Sequence, residues 1–155
     1  MNIHLIAVGQ RTPLWVREGY AEYAKRLTGQ CRLRLVEIPA GKRISGDLLK
    51  VIRVEGEKML KAVPAGAHVV ALDVNGSHWS TEDLAGVLSK WMSMGKDIAL
   101  LVGGPDGLAS DCAKAAHQSW SLSPLTFPHP LVRVILAEQL YRALSLLRNH
   151  PYHRE

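Results

Sequence analysis

Strand-like and helix-like segments alternate along this chain, and that alternation restricts its fold more than any other feature. Short apolar runs such as Asn2–Val8 and Asp97–Val102 are each followed by glycine and then by a segment with apolar residues at helical spacing. Continuous apolar runs are typical of parallel strands that are covered on both faces. The order therefore predicts an α/β fold, with a mostly parallel sheet and helices on both faces.

The spacing also predicts where most elements begin and end. A chain of 155 residues suggests one domain, residues 1–155. Thr12-Pro13 and Ser80 are typical of helix starts, and Asn75-Gly76 predicts a turn that closes the third strand. The predicted strands are Asn2–Val8, Cys31–Pro39, Ala67–Val74, Asp97–Val102 and Trp120–Ser123, with a short helix over Ser110–Gln118 and a last helix over Pro130–Asn149.

Composition narrows the class of partner. The net charge of +5 favours a polyanionic partner such as nucleic acid, although many basic proteins bind none. Cys31 and Cys112 form no CxxC pair and cannot build a zinc site by themselves, so we expect buried structural thiols. The start of the chain lacks a signal peptide, and no apolar run approaches the ~20 residues of a membrane span, so we expect a cytoplasmic protein.

Three predicted strand ends could form a site, because ligands of open α/β sheets bind beyond the carboxyl ends of the strands. They are Leu72-Asp73, the glycine-rich segment Gly103–Gly107 and Leu122–Phe127. The sequence GGPDG is ordinary turn chemistry, and that reading is favoured for the segment alone. It matches neither a P-loop nor the dinucleotide spacing GxGxxG.

A proline-rich loop precedes the last helix. Pro124, Pro128 and Pro130 enclose Leu125–Phe127 and His129. A loop stiffened in this way loses little entropy when a ligand binds, and its free backbone groups could recognise the edge of a heterocycle. A rigid connector whose apolar residues belong to the core explains the same pattern equally well.

The end of the chain, Asn149–Glu155, reads NHPYHRE and combines histidine, tyrosine and arginine. Such ends usually fray in solvent. Aromatic stacking together with cationic contact is, however, how single-stranded RNA is commonly held.

Several long motifs resemble one known family. LLVGGPDGL, SWSLSPLTFPHPLVRVILAEQLYRA and NHPYHRE, with IPAGKR and LDVNG, are similar to the large-subunit ribosomal RNA pseudouridine N3-methyltransferases of the SPOUT class, over essentially the whole chain. The resemblance implies a C-terminal trefoil knot, the methyl donor S-adenosylmethionine, a homodimer, and a pseudouridine of 23S rRNA in the ribosome as substrate. The donor contacts that it implies are Leu72, Gly103, Gly104, Leu122, Ser123, Pro124, Leu125, Thr126 and Phe127.

The same resemblance leads to hypotheses about the chemistry. The N3–H of pseudouridine is weakly acidic, so the site must accept that proton or stabilise the anion, and histidine suits that task near neutral pH. No metal is required. The catalytic candidates are His153, Tyr152, Arg142 and His129, and the RNA-binding candidates are Arg133, Arg154, Lys42 and Arg43.

Alternatives remain open at this point. His129 could only cap the last helix, Arg133 could pair with a carboxylate, and the sequence does not identify the proton acceptor. A different α/β enzyme that acts on a small nucleotide-like substrate would use the same glycine loop. A ribosome-associated protein without enzymatic activity would bind RNA regardless of the methyl donor.

Overall fold

The computed structural model describes residues 1–42 and 46–154. Its elements are β1 (Asn2–Val8), α1 (Leu14–Ala24), β2 (Arg32–Ile38), α2 (Leu48–Ala62), β3 (His68–His78), α3 (Thr81–Ser93), β4 (Ile98–Val102), α4 (Ser110–Ala115), β5 (Gln118–Ser121), α5 (His129–Leu147) and a 3-10 turn (Pro151–Arg154). None of the helices in these two ranges combines the length and apolar character needed to span a bilayer.

The five strands form one parallel sheet with the order β2-β1-β4-β3-β5. All carboxyl ends therefore meet at one edge, which places the loops after β3, β4 and β5 side by side. The parallel sheet confirms the predicted fold class. The trefoil knot stays a prediction at this point, because strand pairing alone does not define how the chain threads.

Helices cover both faces of the sheet, as predicted. One apolar cluster joins the sheet to α1, α3 and α5, and includes Leu88, Trp91 and Leu140. The other joins the opposite face to α2 and α4, and includes Met59 and Cys112. The strand β4 is buried along its whole length, which explains its uninterrupted apolar sequence.

The prediction of a turn at Asn75-Gly76 is wrong. The strand β3 continues to His78, and its pairing with β5 shifts register between Leu72 and Ser77. A Cβ on Gly76 would lie 2.6 Å from the backbone nitrogen of Trp120. Glycine is therefore required there by the close approach of β5 rather than by a turn.

Local signals located other boundaries to within a few residues. Ser80 and Asp83 form the capping box expected at the start of α3, with each side chain bonded to the other's backbone N–H at 3.0 Å. At α1 the cap position is Pro13, so the helix begins one residue later than predicted. Both cysteines are buried and free, and burial raises the pKa of each thiol to about 11.

Candidate active site

A cavity of about 330 Å³ lies at the carboxyl edge of the sheet. It is formed by the part of β3 where the register shifts, by the segments that follow β4 and β5, and by the first turn of α5. Of the nine predicted donor contacts, Pro124 alone does not line it. The lining comprises Leu72, Asp73, Val74, Val102, Gly103, Gly104, Pro105, Gly107, Leu108, Trp120, Ser121, Leu122, Ser123, Leu125, Thr126, Phe127, His129 and Val132. Its volume lies in the range typical of small-molecule sites.

The glycine-rich segment is both a tight turn and a wall of this cavity. The backbone of Gly107 donates to Gly104 O at 3.1 Å and closes the turn. A Cβ on Gly103 would lie 2.4 Å from the backbone carbon and oxygen of Gly107, so any side chain there would displace backbone. The segment is therefore both the ordinary turn and the part of a possible site that the sequence suggested.

The proline-rich loop forms the opposite wall. Ser123 Oγ accepts a hydrogen bond from Leu125 N at 2.9 Å, and the Pro128 carbonyl accepts from the first turn of α5. In the part of the chain that the structure describes, the N–H groups of Thr126 and Phe127 donate to no protein acceptor. Both residues line the cavity.

Asp73 and Val74, at the predicted end of the third strand, also line the cavity, although neither is among the predicted donor contacts. Asp73 places a carboxylate in the lining, and its Oδ1 accepts from Asn75 N at 2.9 Å. Val74 is 72% exposed and Leu125 70% exposed, which leaves apolar side chains in solvent at the cavity. The strand-end rule had indicated Leu72-Asp73 as part of a possible site, and both residues line the cavity.

The inner wall of the cavity is aromatic. Trp120 is buried and lines the cavity, and its ring stacks on Trp79 with 5.0 Å between centroids. Trp91 meets Trp79 edge-on, with 6.3 Å between centroids. The three rings brace β5 against α3 and so hold the cavity wall in place.

Arg133 is a structural residue in this fold. Its side chain is 1% exposed, its Nη1 donates to Glu37 Oε2 at 2.7 Å, and its Nη2 donates to the carbonyls of Gly9 at 2.7 Å and Val8 at 3.3 Å. The alternative of pairing with a carboxylate is therefore the arrangement found. A side chain buried in this way does not reach an RNA phosphate.

His129 is the first residue of α5 and lines the cavity. A Cβ on Gly9 would lie 3.4 Å from His129 Cε1 and 3.5 Å from Arg133 Nη2. The buried guanidinium therefore holds the end of β1 directly beside the histidine ring. Of the four catalytic candidates, His129 is the one that the structure places at the cavity of its own chain.

The other three catalytic candidates form a separate cluster along α5. Arg142 Nε donates to Glu138 Oε1 at 2.7 Å, and Tyr152 OH donates to the same oxygen at 3.2 Å. The Arg142 guanidinium lies 5.0 Å from the Tyr152 ring centroid. Within residues 1–42 and 46–154, His153 Nδ1 is buried without a hydrogen-bond partner.

This tail cluster does not line the cavity. It contacts α5 at Glu138 and beyond, more than two turns away from His129. Burial and the Glu138 carboxylate raise the pKa of Tyr152, so its phenol stays protonated and acts as a donor near neutral pH. Fraying of the end was the usual expectation, but a 3-10 turn orders residues 151–154 instead.

The remaining RNA-binding candidates lie on the surface or outside the described residues. Lys42 and Arg154 are exposed. Arg43 lies outside the residues that the structure describes. In those described ranges, no three His, Cys, Asp or Glu side chains are grouped so that they could bind a metal ion.

Comparison with known proteins gives relatives of the same length. The family model described as "Predicted SPOUT methyltransferase" matches residues 1–153. A protein of Methylococcus capsulatus named ribosomal RNA large subunit methyltransferase H is 59% identical, over 99% of this chain and 100% of its own length. A protein of Thioalkalivibrio sulfidiphilus with the same name is 60% identical over 100% of both chains.

Solved structures of lower identity share the fold. A probable methyltransferase of Bordetella pertussis matches with a TM-score of 0.56 at 14% identity, covering 92% of this chain and 95% of that one. A putative methyltransferase of Legionella pneumophila, in complex with SAM, matches with a TM-score of 0.53 at 11% identity, covering 92% and 66%. At these identities the likeness establishes the fold alone.

Proposed function

This chain belongs to the SPOUT methyltransferase family, and we propose that it methylates N3 of a pseudouridine in large-subunit ribosomal RNA, with S-adenosylmethionine as donor. The observation that carries this proposal is the cavity between the glycine turn and the proline-rich loop, in a chain about 60% identical to named ribosomal RNA methyltransferases. Family membership also implies the trefoil knot predicted from the sequence.

The residues that line the cavity suit the donor chemically. When bound, S-adenosylmethionine supplies an electrophilic methyl group on a sulfonium. Gly103 gives backbone access, and the N–H groups of Thr126 and Phe127 would meet acceptor nitrogens of the adenine ring. The Asp73 carboxylate favours a positive charge in the cavity, while Leu122 and Leu125 supply apolar contact.

The acceptor nitrogen must lose its proton, and cationic groups favour the resulting anion. His129 lies at the cavity and is the residue in this chain best placed to accept a proton or to orient the base. Tyr152 and His153 belong to the ordered tail, where Arg142 of α5 contacts them, and Arg154 is exposed beside them. Holding the base in line with the methyl group contributes to the rate through orientation.

We further propose a homodimer formed by α1 and α5. Leu14 is 60% exposed and Trp15 58% exposed at the start of α1, and Leu147 is 39% exposed at the end of α5. The exposed pair Leu14 and Trp15 suits an interface between copies at one end of the two helices, and Leu147 could contact a copy only at the other end. The tail does not line the cavity of its own chain, so a second copy would be needed to bring tail and donor together.

The substrate would be structured RNA in the assembled ribosome. The side chains that would contact phosphates are Lys42, Arg43 and Arg154, and the net charge of +5 favours such a partner. We expect the protein to act in the cytoplasm. A short free stem-loop should therefore be a poor substrate. Its efficient methylation would contradict the ribosome requirement.

The test is donor binding followed by transfer. Calorimetric titration with S-adenosylmethionine should show binding, and ribosomes from cells that lack this chain should then gain one methyl group on a pseudouridine, identified by mass spectrometry of nucleosides. Donor binding without methylation of ribosomes would favour the enzyme of a small nucleotide-like substrate. RNA binding without any donor binding would favour the ribosome-associated protein.

A further inference from the structure

The C-terminal tail is held against α5 and α1 by an aromatic cluster around one arginine. The ring centroids of Tyr152 and of Tyr141 in α5 lie 4.6 Å apart. The Cζ atom of Arg26 lies 5.3 Å from the Tyr23 ring centroid, 5.5 Å from that of Tyr141 and 5.7 Å from that of Tyr152. One guanidinium therefore bridges α1, α5 and the tail.

A carboxylate fixes the orientation of that guanidinium. Arg26 Nη2 donates to Glu22 Oε1 at 2.6 Å, one helical turn earlier. Arg26 is 35% exposed at its side chain, so solvent screens it only in part. A planar guanidinium over aromatic faces is a directional contact that an ammonium ion reproduces poorly.

We propose that Arg26 is a positioning residue for methyl transfer: it holds Tyr152, and with it His153 and Arg154, in the place from which they act on the acceptor base. This inference rests on the proposed function. Arg26 itself lies outside the cavity, so it acts through the tail and not through the donor. Its loss should lower turnover and leave donor affinity unchanged.

Lys25 offers a matched control in the adjacent position. Its Nζ pairs with the same carboxylate, Glu22 Oε2, at 2.7 Å. Among the described residues, no contact between a cation and a ring involves Lys25. A Lys25→Met variant therefore removes the same charge and a pairing with the same glutamate, but leaves the aromatic cluster intact.

The experiment compares Arg26→Met, Arg26→Lys and Lys25→Met on ribosomes under saturating donor. We expect Arg26→Met to lower kcat by about tenfold to a hundredfold, as misplacement by about 1 Å can do. Its Kd for S-adenosylmethionine should stay within about twofold of the parent protein. Arg26→Lys should recover part of the loss, and Lys25→Met should match the parent.

A second readout follows the tail directly and needs no activity. Carboxypeptidase should release residues from the end of Arg26→Met faster than from Lys25→Met, because the Tyr152 ring loses its contact with the Arg26 guanidinium. Equal release rates and an equal kcat in these two variants would overturn the proposal. So would a loss confined to donor affinity.

Failure of this inference is distinguishable from failure of the proposed function. If the parent protein does not methylate ribosomes, the function is wrong, and the carboxypeptidase comparison still decides whether Arg26 holds the tail. If Arg26→Met unfolds, Glu22→Gln replaces it, because that change loosens the guanidinium and leaves the rings in place. An unchanged tail and kcat in that variant would likewise refute the role of Arg26.

Discussion

Replacing the buried Arg133 should destabilise the whole fold. Arg133→Met removes three hydrogen bonds and leaves the carbonyls of Val8 and Gly9 and the Glu37 carboxylate without their donor. Breaking a buried charged pair from one side typically costs about 3–5 kcal/mol. Glu37 is 34% exposed, so water compensates part of the loss of its partner, and we expect Arg133→Met to lower the free energy of unfolding by about 3 kcal/mol. That is a large part of the ~5–15 kcal/mol by which a whole domain is stable.

The assay is equilibrium urea unfolding at one fixed protomer concentration, because association of copies adds to the measured free energy of unfolding. Glu37→Gln keeps an oxygen acceptor for Arg133 but removes its counter-charge, so it should also destabilise the fold, by about 2 kcal/mol. Arg17→Met, an exposed change on α1, should stay within about 0.5 kcal/mol of the parent.

Two results would refute this reasoning. One is a loss of less than about 1 kcal/mol in Arg133→Met, because that would mean that the three hydrogen bonds contribute little. The other is that Arg133→Met is as stable as Arg17→Met but binds ribosomes more weakly than the parent protein does. That pattern would restore the role of an RNA contact for Arg133.

Four further outcomes follow from the same structure. Gly103→Ala should weaken donor binding by more than about tenfold in calorimetry, because its Cβ would overlap backbone 2.4 Å away; an unchanged Kd would contradict the close approach. Gly86→Ala, which has no atom within 4 Å of the new Cβ on α3, should raise the free energy of unfolding by about 0.5–1 kcal/mol, and any loss would show a hidden contact. A thiol reagent at about pH 8 should modify neither Cys31 nor Cys112 until urea unfolds the chain, because burial raises both pKa values to about 11. Hydrogen bonds from the Asn2 backbone and from His4 lower the pKa of Asp97, so the stability that Asp97 contributes is present above the ordinary carboxyl pKa and is lost as the pH falls through the folded value. The free energy of unfolding of Asp97→Asn should therefore fall less than that of the parent protein between about pH 5 and 3. An equal fall in both proteins would exclude the effect.

Patterns with a local cause could be predicted from the sequence. The apolar β4 run, the Ser80 capping box and the alternation of elements each depend on residues close to one another in the chain. The placement of the site followed from one further rule, that parallel strands bring their carboxyl ends to a common edge. The cavity lining is largely the set of residues that this rule and the family resemblance indicate.

Features with a distant cause could not be predicted. Gly76 looks like a turn residue, and only the approach of Trp120, 44 positions later, shows why it lacks a side chain. Arg133 resembles a phosphate contact until its bond to Glu37, 96 positions earlier, is known. The contacts of the tail are distant in the same way, because the Tyr152 ring lies beside Arg26, 126 positions earlier in the chain.

The tryptophan stack at the cavity equips the molecule with its own optical reporter. Trp120 and Trp79 lie close enough, at 5.0 Å between ring centroids, for their excited states to couple, while Trp15 is 58% exposed on another element. Occupation of the cavity changes the surroundings of the coupled pair, and quenchers in solution reach mainly Trp15. Near-ultraviolet circular dichroism can therefore follow donor entry on the unlabelled protein, separately from events at the start of α1.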